Sequence, residues 1–405
     1  LRSLVRRAVS MAAVAVIIVI VVVAAAVGVY YYTQQSSGGS GTKPTSQFNV
    51  VVDLAGVTGD LGFNDLGVLG AQEAKQQLGV NTTYVQLPDP SQATNILQSE
   101  AASGKYNLII TIGFEWLTAL NSTAPQYPNQ KFVILDAIPI TPEPNILAVY
   151  YAANESSALA GVLAAAYTKT HKIGIVLGVD TPVLYGFAIG FVYGVRWYEN
   201  MTHTGPNIVQ AYFTGTFTDP SKGQAAANTF ISNDADVIWA AAGGTGLGAI
   251  DAVQAYNQQH PNSPIWAVGV DTDQSFLVPG QMLTSVLKHV DTTIVSIIKS
   301  AMNGNFHGGI ELGNLANGLV GIANLNSLNQ TLAFGVAGGK FTTAQENSIY
   351  AAQSALLNSP TYQSVLNNYV NVLMNQITSG HVTIPYPQSR SDYNHWAQVY
   401  NLQTN

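Results

Sequence analysis

Three charged side chains stand where apolar runs stop. Trp266 to Val270 reads as a buried β-strand and ends in Asp271 and Asp273. After a Pro279-Gly280 turn, a second apolar run, Met282 to Leu287, ends in Lys288. Open α/β sheets place their ligand crevice outside the carboxyl ends of the strands, where such charges would line it. The pattern carries weight here because only 9% of the residues are charged, against roughly 25% in an average soluble domain. Ordinary strand-end polar residues would look the same in isolation. As chemistry, carboxylates beside one ammonium offer acceptors for hydroxyl and N–H groups, with the lysine holding the acids ionised.

The elements that would position these groups alternate along the chain. Phe48 to Leu54, Thr83 to Leu87, Leu108 to Ile112 and Lys131 to Leu135 read as strands; Asp65 to Leu78, Ser91 to Ser103 and Glu115 to Asn121 read as the helices between them. A second series follows Tyr151. Its strands are Lys172 to Leu177, Ile208 to Phe213, Asp236 to Ala241 and Ile265 to Val270, and its helices Glu155 to Tyr167, Pro182 to Tyr198, Pro220 to Ser232 and Gly246 to Gln258. Strands that are apolar throughout and alternate with helices indicate parallel sheets covered on both faces. Two such series predict an α/β protein of two doubly wound lobes with a cleft between them. Two further helices, Thr343 to Leu357 and Tyr362 to Ser379, precede an aromatic tail.

Composition narrows the function. The 405 residues include no cysteine, so disulfides, a thiolate nucleophile and Cys-based zinc sites are excluded. The net charge is −7 and every acid lies beyond Gln47, leaving 11 Lys and Arg against 22 Asp and Glu there. A nucleic-acid binder would need basic patches that this chain lacks. There is no HExxH, GxSxG or GxxxxGK[ST] motif, and the seven histidines stand in no ligand spacing. No metal, cofactor or enzymatic activity is expected. Paired carboxylates could serve a glycosidase or nucleoside hydrolase, which would need a water-activating cluster near the chain start.

Several stretches resemble the Bmp-type basic membrane lipoproteins, the nucleoside-binding proteins of ABC importers. They are GDLGFND at 59–65, LIITIGF at 108–114, KFVILD at 131–136, SALAGVLAAAYTKTHKIGIVLG at 157–178, FTDPSKGQAAA at 217–227, ADVIWAAAGGTGLG at 235–248, and GVDTDQ with TSVLK in the region described first. ITSGHVTIP at 377–385 is similar to the family's closing segment. Gly62 stands where the family has Ser, and Trp239 where it usually has Phe. The resemblance implies a type I periplasmic-binding-protein fold with three crossovers at a hinge, near Tyr151, His289 and Gly308. Lobe 1 would then hold residues 48–152 with about 290–308, and lobe 2 residues 153–289 with about 309–331. Residues 332–405 would pack on the lobes as helices and tail.

The same resemblance assigns a site. A nucleoside is neutral, with a flat base and a hydroxyl-rich ribose, and calls for aromatic walls, carboxylate acceptors and a dry cleft. Phe63 and Trp239 are the candidate rings, with plain core as the alternative for each. Asp136 matches the family's base-reading carboxylate; a helix N-cap is the alternative, but Ala137-Ile138-Pro139 is a poor helix start. Asp271 and Lys288 match the ribose-binding pair. Gly243-Gly244 would let backbone N–H groups approach the sugar. Asp60, Asn64, Phe114 and Phe187 complete the set. An ABC permease is the implied partner, and the acids would repel a nucleotide's phosphates.

The N-terminus adds a location. Met11 to Val29 is an unbroken apolar run, about 28 Å long as a helix and able to span a bilayer. Arg2, Arg6 and Arg7 precede it and Tyr30-Tyr31-Tyr32 follow, which predicts a cytoplasmic start and an extracytoplasmic domain; a secretory signal peptide would show the same basic start and apolar core. A sequence starting at Leu1 just before such a run resembles archaeal proteins with class III, pilin-like signal peptides, whose helix is retained. Residues 1–33 are therefore expected to be an anchor or the core of a filament or other homo-oligomer, joined by a Gly/Ser-rich linker at 34–47. A cell-surface setting makes the sequons at Asn81, Asn121, Asn154, Asn200 and Asn329 glycosylation candidates.

Overall fold

The structure, a computed structural model, describes residues 47–87, 89–139 and 141–405. The apolar run Met11 to Val29 and the linker at 34–46 lie outside the described residues. Among those described, no helix is long and apolar enough to cross a membrane.

Two parallel sheets carry the chain. The first contains β1 (Asn49–Leu54), β2 (Asn81–Gln86), β3 (Leu108–Ile112), β4 (Phe132–Leu135), β5 (Ile146–Tyr151) and β11 (Gly309–Gly313), in the order β11-β5-β4-β3-β1-β2. The second contains β6 (Lys172–Leu177), β7 (Ile208–Phe213), β8 (Val237–Ala241), β9 (Trp266–Asp271), β10 (Met282–Lys288), β12 (Val320–Ile322) and β13 (Leu402–Thr404), in the order β12-β10-β9-β8-β6-β7-β13. Only β12 runs antiparallel, against β10. The central strands are buried along their whole length, as β3, β4 and β8 show. That is why they read as continuous apolar runs rather than alternating ones.

The strand order reverses beside β1 in one sheet and beside β6 in the other, which defines the switch points outside which ligands bind. Chain passages between the sheets follow β5, β10 and β11. After Tyr151 the helix Ala153–Tyr167 packs against β10 and β12; after Lys288 the helix Val290–Met302 packs on the helix Phe63–Leu78. The third passage lies between Gly313 and Val320 rather than near Gly308. Residues 309–313, expected in lobe 2, form β11 instead, because their backbone pairs with β5 from Gly309↔Leu147 to Gly313↔Tyr151.

Two helices at the switch point of the second sheet are longer than their sequence predicts. Gly243 and Gly244 already belong to the helix Gly243–Gln259, and the helix beginning at Pro182 runs to Thr202. That second helix packs closely on Ala153–Tyr167: a Cβ at Gly194 would lie 1.9 Å from the carbonyl oxygen of Ala158, and one at Gly190 2.1 Å from that of Asn154. Only glycine permits this approach, and it fixes the helix that carries Phe187.

The C-terminal residues cover lobe 2. Pro360–Val365, a π-turn at Leu366–Val370 and Asn371–Thr378 pack on the helix Ala153–Tyr167. The aromatic tail forms a helix, Arg390–Val399, and then β13 beside β7, neither of which its sequence announced.

Candidate functional site

Lys288 is the last residue of β10 and is almost wholly buried. Its Nζ lies 2.6 Å from Asp136 Oδ2 and 3.6 Å from Asp271 Oδ1. Asp136 follows β4 directly and Asp271 ends β9, so the cluster joins the two lobes across their strand ends. No helix starts at Asp136, which removes the N-cap alternative. Both aspartates have left-handed backbones, with φ of 67° and 65°. That conformation is uncommon for residues other than glycine and clusters at functional sites.

Electrostatics follows from burial. Burial raises the Asp136 pKa, against the pull of the Lys288 ammonium. Asp271 is pushed up to about 6 by burial, with Lys288 opposing and Asp136 adding to the rise. For Lys288, burial alone would lower the pKa, but the two carboxylates outweigh it and the ammonium is retained. Asp271 Oδ1 and Asn64 Oδ1 are buried with no hydrogen-bond partner among the described residues. They are acceptors without donors, and a ligand rich in hydroxyl groups would supply them.

Aromatic rings flank the ammonium from both lobes. Lys288 Nζ lies 5.3 Å from the Phe63 centroid and 4.7 Å from that of Phe187, within cation–π range. Phe114, after β3, meets Phe217, after β7, with centroids 6.3 Å apart. This second pair also brings rings of the two lobes together.

The lobe 1 loop at 55–62 completes the wall. Asp65 accepts from the N–H groups of Gly59 and Leu61, at 2.8 and 2.9 Å, and holds the loop. Asp60 accepts from Gly62 N–H, and burial raises its pKa. Asn64 donates to the Val57 carbonyl. Thr272 of lobe 2 donates to Leu61 O at 2.7 Å, tying the loops of the two lobes together. The helix Leu325–Ala337 and the turn after it brace both: Ser327 donates to Asp273, Gln330 to Asp291 and Lys340 to the Gly59 carbonyl. The turn at 338–341, within the residues expected to pack on the lobes as helices and tail, is part of this brace through Lys340.

Most of the expected residues converge, and three differ. Trp239 does not line the cleft: it is fully buried, stacks on Phe191 at 4.7 Å, and gives its indole N–H to Gly269 O at 3.0 Å. It stands behind Phe187 and supports it. Asp273 is spent on Ser275 N–H and the Ser327 hydroxyl rather than on Lys288. Asn154 is buried and donates to the carbonyls of Ile384 and Pro385, so the fold leaves no room for a glycan there. Asn81, Asn200 and Asn329 are exposed and Asn121 is half-buried. Gly243 and Gly244 occupy the first turn of their helix, beside Phe217.

Three residues join that the sequence did not single out. Glu115 lies near Asp136 and Lys288, Phe217 pairs with Phe114, and Tyr386 reaches in from the tail. Tyr386 sits on Gly186 and edge-on to Tyr150; burial, and then Asp136, raise its pKa. FTDPSKG already marked Phe217 as part of a motif. Nothing local marks Tyr386, whose place depends on packing some 200 residues away in sequence.

Comparison with known proteins places this geometry. The family model described as "ABC transporter substrate-binding protein PnrA-like" (Bmp) matches residues 48–334. An uncharacterised lipoprotein of Pyrococcus furiosus is 32% identical over 85% of this chain and 86% of its own length. The ABC transporter nucleoside-binding protein BmpA of Lactococcus lactis is 32% identical, covering 69% of this chain and 82% of that protein. Among solved structures, an ABC transporter solute-binding protein of Aeropyrum pernix superposes with a TM-score of 0.79 at 28% identity, covering 87% of this chain and 97% of that one.

Proposed function

The chain belongs to the Bmp family of PnrA-like ABC transporter substrate-binding proteins, and from that premise we propose that its cleft captures a nucleoside, purine nucleosides foremost, for delivery to an ABC permease. The observation that carries the reading is the Lys288 cluster between Phe63 and Phe187, with Asp271 Oδ1 and Asn64 Oδ1 buried and lacking donors. Ribose hydroxyls supply those donors, and rings from both lobes receive a flat base. Asp271 and Lys288 hold the ribose, and Asp136 faces the base. A phosphorylated ligand is disfavoured because Asp60, Glu115, Asp136 and Asp271 surround a single ammonium.

The protein works outside the cytoplasm, held at the membrane by its N-terminal apolar run. Residues 8–29 are Ala, Val, Ile and Gly with Ser10 and Met11, and contain no Leu. Small side chains of this kind favour close helix packing, which supports a second reading: a pilus-like filament that displays the binding domain. Gel filtration after mild detergent extraction, with negative-stain imaging, separates a monomer from a fibre.

Thermal unfolding tests the ligand. Adenosine, guanosine or inosine at millimolar concentration is expected to raise the Tm, because a ligand that binds only the folded state stabilises it by mass action. No shift with any of the three would sink the reading and make a free sugar the next class to try.

A further inference from the structure

We propose that Glu115 is a second base-reading carboxylate, which makes the cleft prefer nucleosides whose base edge presents two adjacent N–H donors, as guanine does, over those of the adenine type. The assignment rests on the nucleoside reading above and names the selectivity within it.

Position is the first argument. Gly113 N–H donates to Leu135 O at 2.9 Å, so β3 and β4 are still hydrogen-bonded where Glu115 and Asp136 leave them. The two acids therefore follow the ends of adjacent strands, and Asp136 acts on Glu115 through its charge. Gly113 has φ 98°, and a Cβ there would lie 2.5 Å from Glu115 Oε2 and 2.8 Å from Ala55 Cβ. The carboxyl is folded back over Gly113, towards the end of β1, in space that only a glycine leaves open. Phe114, the preceding residue, meets Phe217 of the second lobe beside this corner.

Charge is the second. Lys288 is engaged by Asp136 and Asp271, so Glu115 has no ammonium of its own. Burial pushes its pKa up to about 7, with Asp136 raising it and Lys288 opposing. Asp60, Asp271 and Tyr386 are further ionisable groups at the crevice, each with its pKa raised by burial. An ionised carboxylate presents two acceptors, which pair as a fork with the N1–H and the amino group of guanine. Adenine offers an acceptor, N1, beside its amino group, and meets the ionised acid with one repulsive contact. A protonated Glu115 can donate to that N1. Discrimination against adenine therefore grows as Glu115 loses its proton.

The test is calorimetric binding of guanosine and adenosine to the full chain in detergent, at pH 6 and pH 8, with wild type and Glu115→Gln. Wild type is expected to favour guanosine by about tenfold at pH 8, with a smaller ratio at pH 6. Glu115→Gln, whose amide offers one donor and one acceptor, is expected to abolish the preference and its pH dependence while still binding adenosine. A wild-type ratio that does not change with pH, or an identical ratio in the variant, overturns the assignment and leaves the nucleoside reading standing. If wild type binds neither nucleoside, both fall together. The wild-type pH comparison holds even if the variant does not fold.

Discussion

Two groups of buried acids, one inside the first lobe and one between the lobes, have opposite meanings. Asp53, on β1, is fully buried beside Glu100 from the helix Ala93–Ser103, and no cation accompanies them. Neither Asp53 oxygen, nor Glu100 Oε2, has a donor in the protein. Two carboxyls placed this way share a proton: burial raises Asp53 well above the usual carboxylate range, Glu100 adding to it, and burial pushes Glu100 up to about 7. The cleft acids are as deeply buried but gather around Lys288, adopt left-handed backbones and lie between rings of both lobes. Burial of acids therefore does not identify a site. A cation, a strained backbone and an opening towards the second lobe do.

One residue of register separates the two cases. Val50-Val51-Val52-Asp53, Val133-Ile134-Leu135-Asp136 and Val268-Gly269-Val270-Asp271 are all apolar runs that end in Asp. Asp53, however, is paired on both sides, opposite Val85 and Thr111, and β1 continues to Leu54, whereas Asp271 is paired on one side alone, opposite Leu287. Its side chain stands on a sheet face under the helix layer. Asp136 lies beyond the last residue of β4, and Asp271 is the last residue of β9, so both turn into the crevice.

Removing the cation tests the cleft side most severely. Lys288→Met leaves Asp136 and Asp271 buried together with no counter-charge, and breaking a buried pair from one side costs roughly 3–5 kcal/mol. Nucleoside affinity is expected to fall by at least about a hundredfold, and the Tm with it. Both acids have raised pKa values in the folded state, so they take up protons on acidification and relieve the repulsion. The loss of Tm should accordingly be smaller at pH 5 than at pH 8. An equal loss at both values would mean that the acids do not respond to Lys288.

A milder change removes one acceptor. Asp271→Ala deletes the hydrogen bonds proposed for two ribose hydroxyls, and bonds to charged groups contribute roughly 1.5–3 kcal/mol each. Affinity is expected to fall by at least about tenfold, with Asp271→Asn intermediate. A variant that binds as tightly as wild type would refute the ribose assignment.

How much of this could be read in advance divides along physical lines. Strands buried on both faces are legible because their apolar runs are continuous, and Asp136, Asp271 and Lys288 were legible because they end such runs. Trp239 read as a cleft ring since a motif fixes where a residue sits in the sequence, not which sheet face it takes. Its place in β8 points it at Phe191. Glu115 stands three residues past the end of β3, inside the turn Phe114–Trp116, so it read as the start of a helix rather than as a charge ending a strand. The left-handed backbone at Leu61, Asp136 and Asp271 has no local signal at all. At Leu61 and Asp271 it accompanies the contact between the lobes, since Leu61 accepts from Thr272, the residue after Asp271.

The smallest effect belongs to the interior pair, and it has the opposite sign. A carboxyl whose folded pKa is raised contributes stability that is complete below its unfolded pKa and is lost as pH rises through the folded value. For Glu100 that window runs from its ordinary 4.5 to about 7, so at pH 8 the wild-type pair opposes folding. Asp53→Asn keeps the shape, removes one acid and gives Glu100 an amide donor. The expected result is a gain at pH 8 of about 1 kcal/mol, discounted for the solvent that reaches Glu100. At pH 5 the gain should vanish, because the wild-type pair already holds its shared proton there. Thermal unfolding at the two pH values reads the difference, and guanosine affinity, measured in parallel, should not change. If Asp53→Asn instead weakened nucleoside binding as much as Asp271→Ala does, Asp53 would belong to the site, and the register argument that separates it from Asp136 and Asp271 would be wrong.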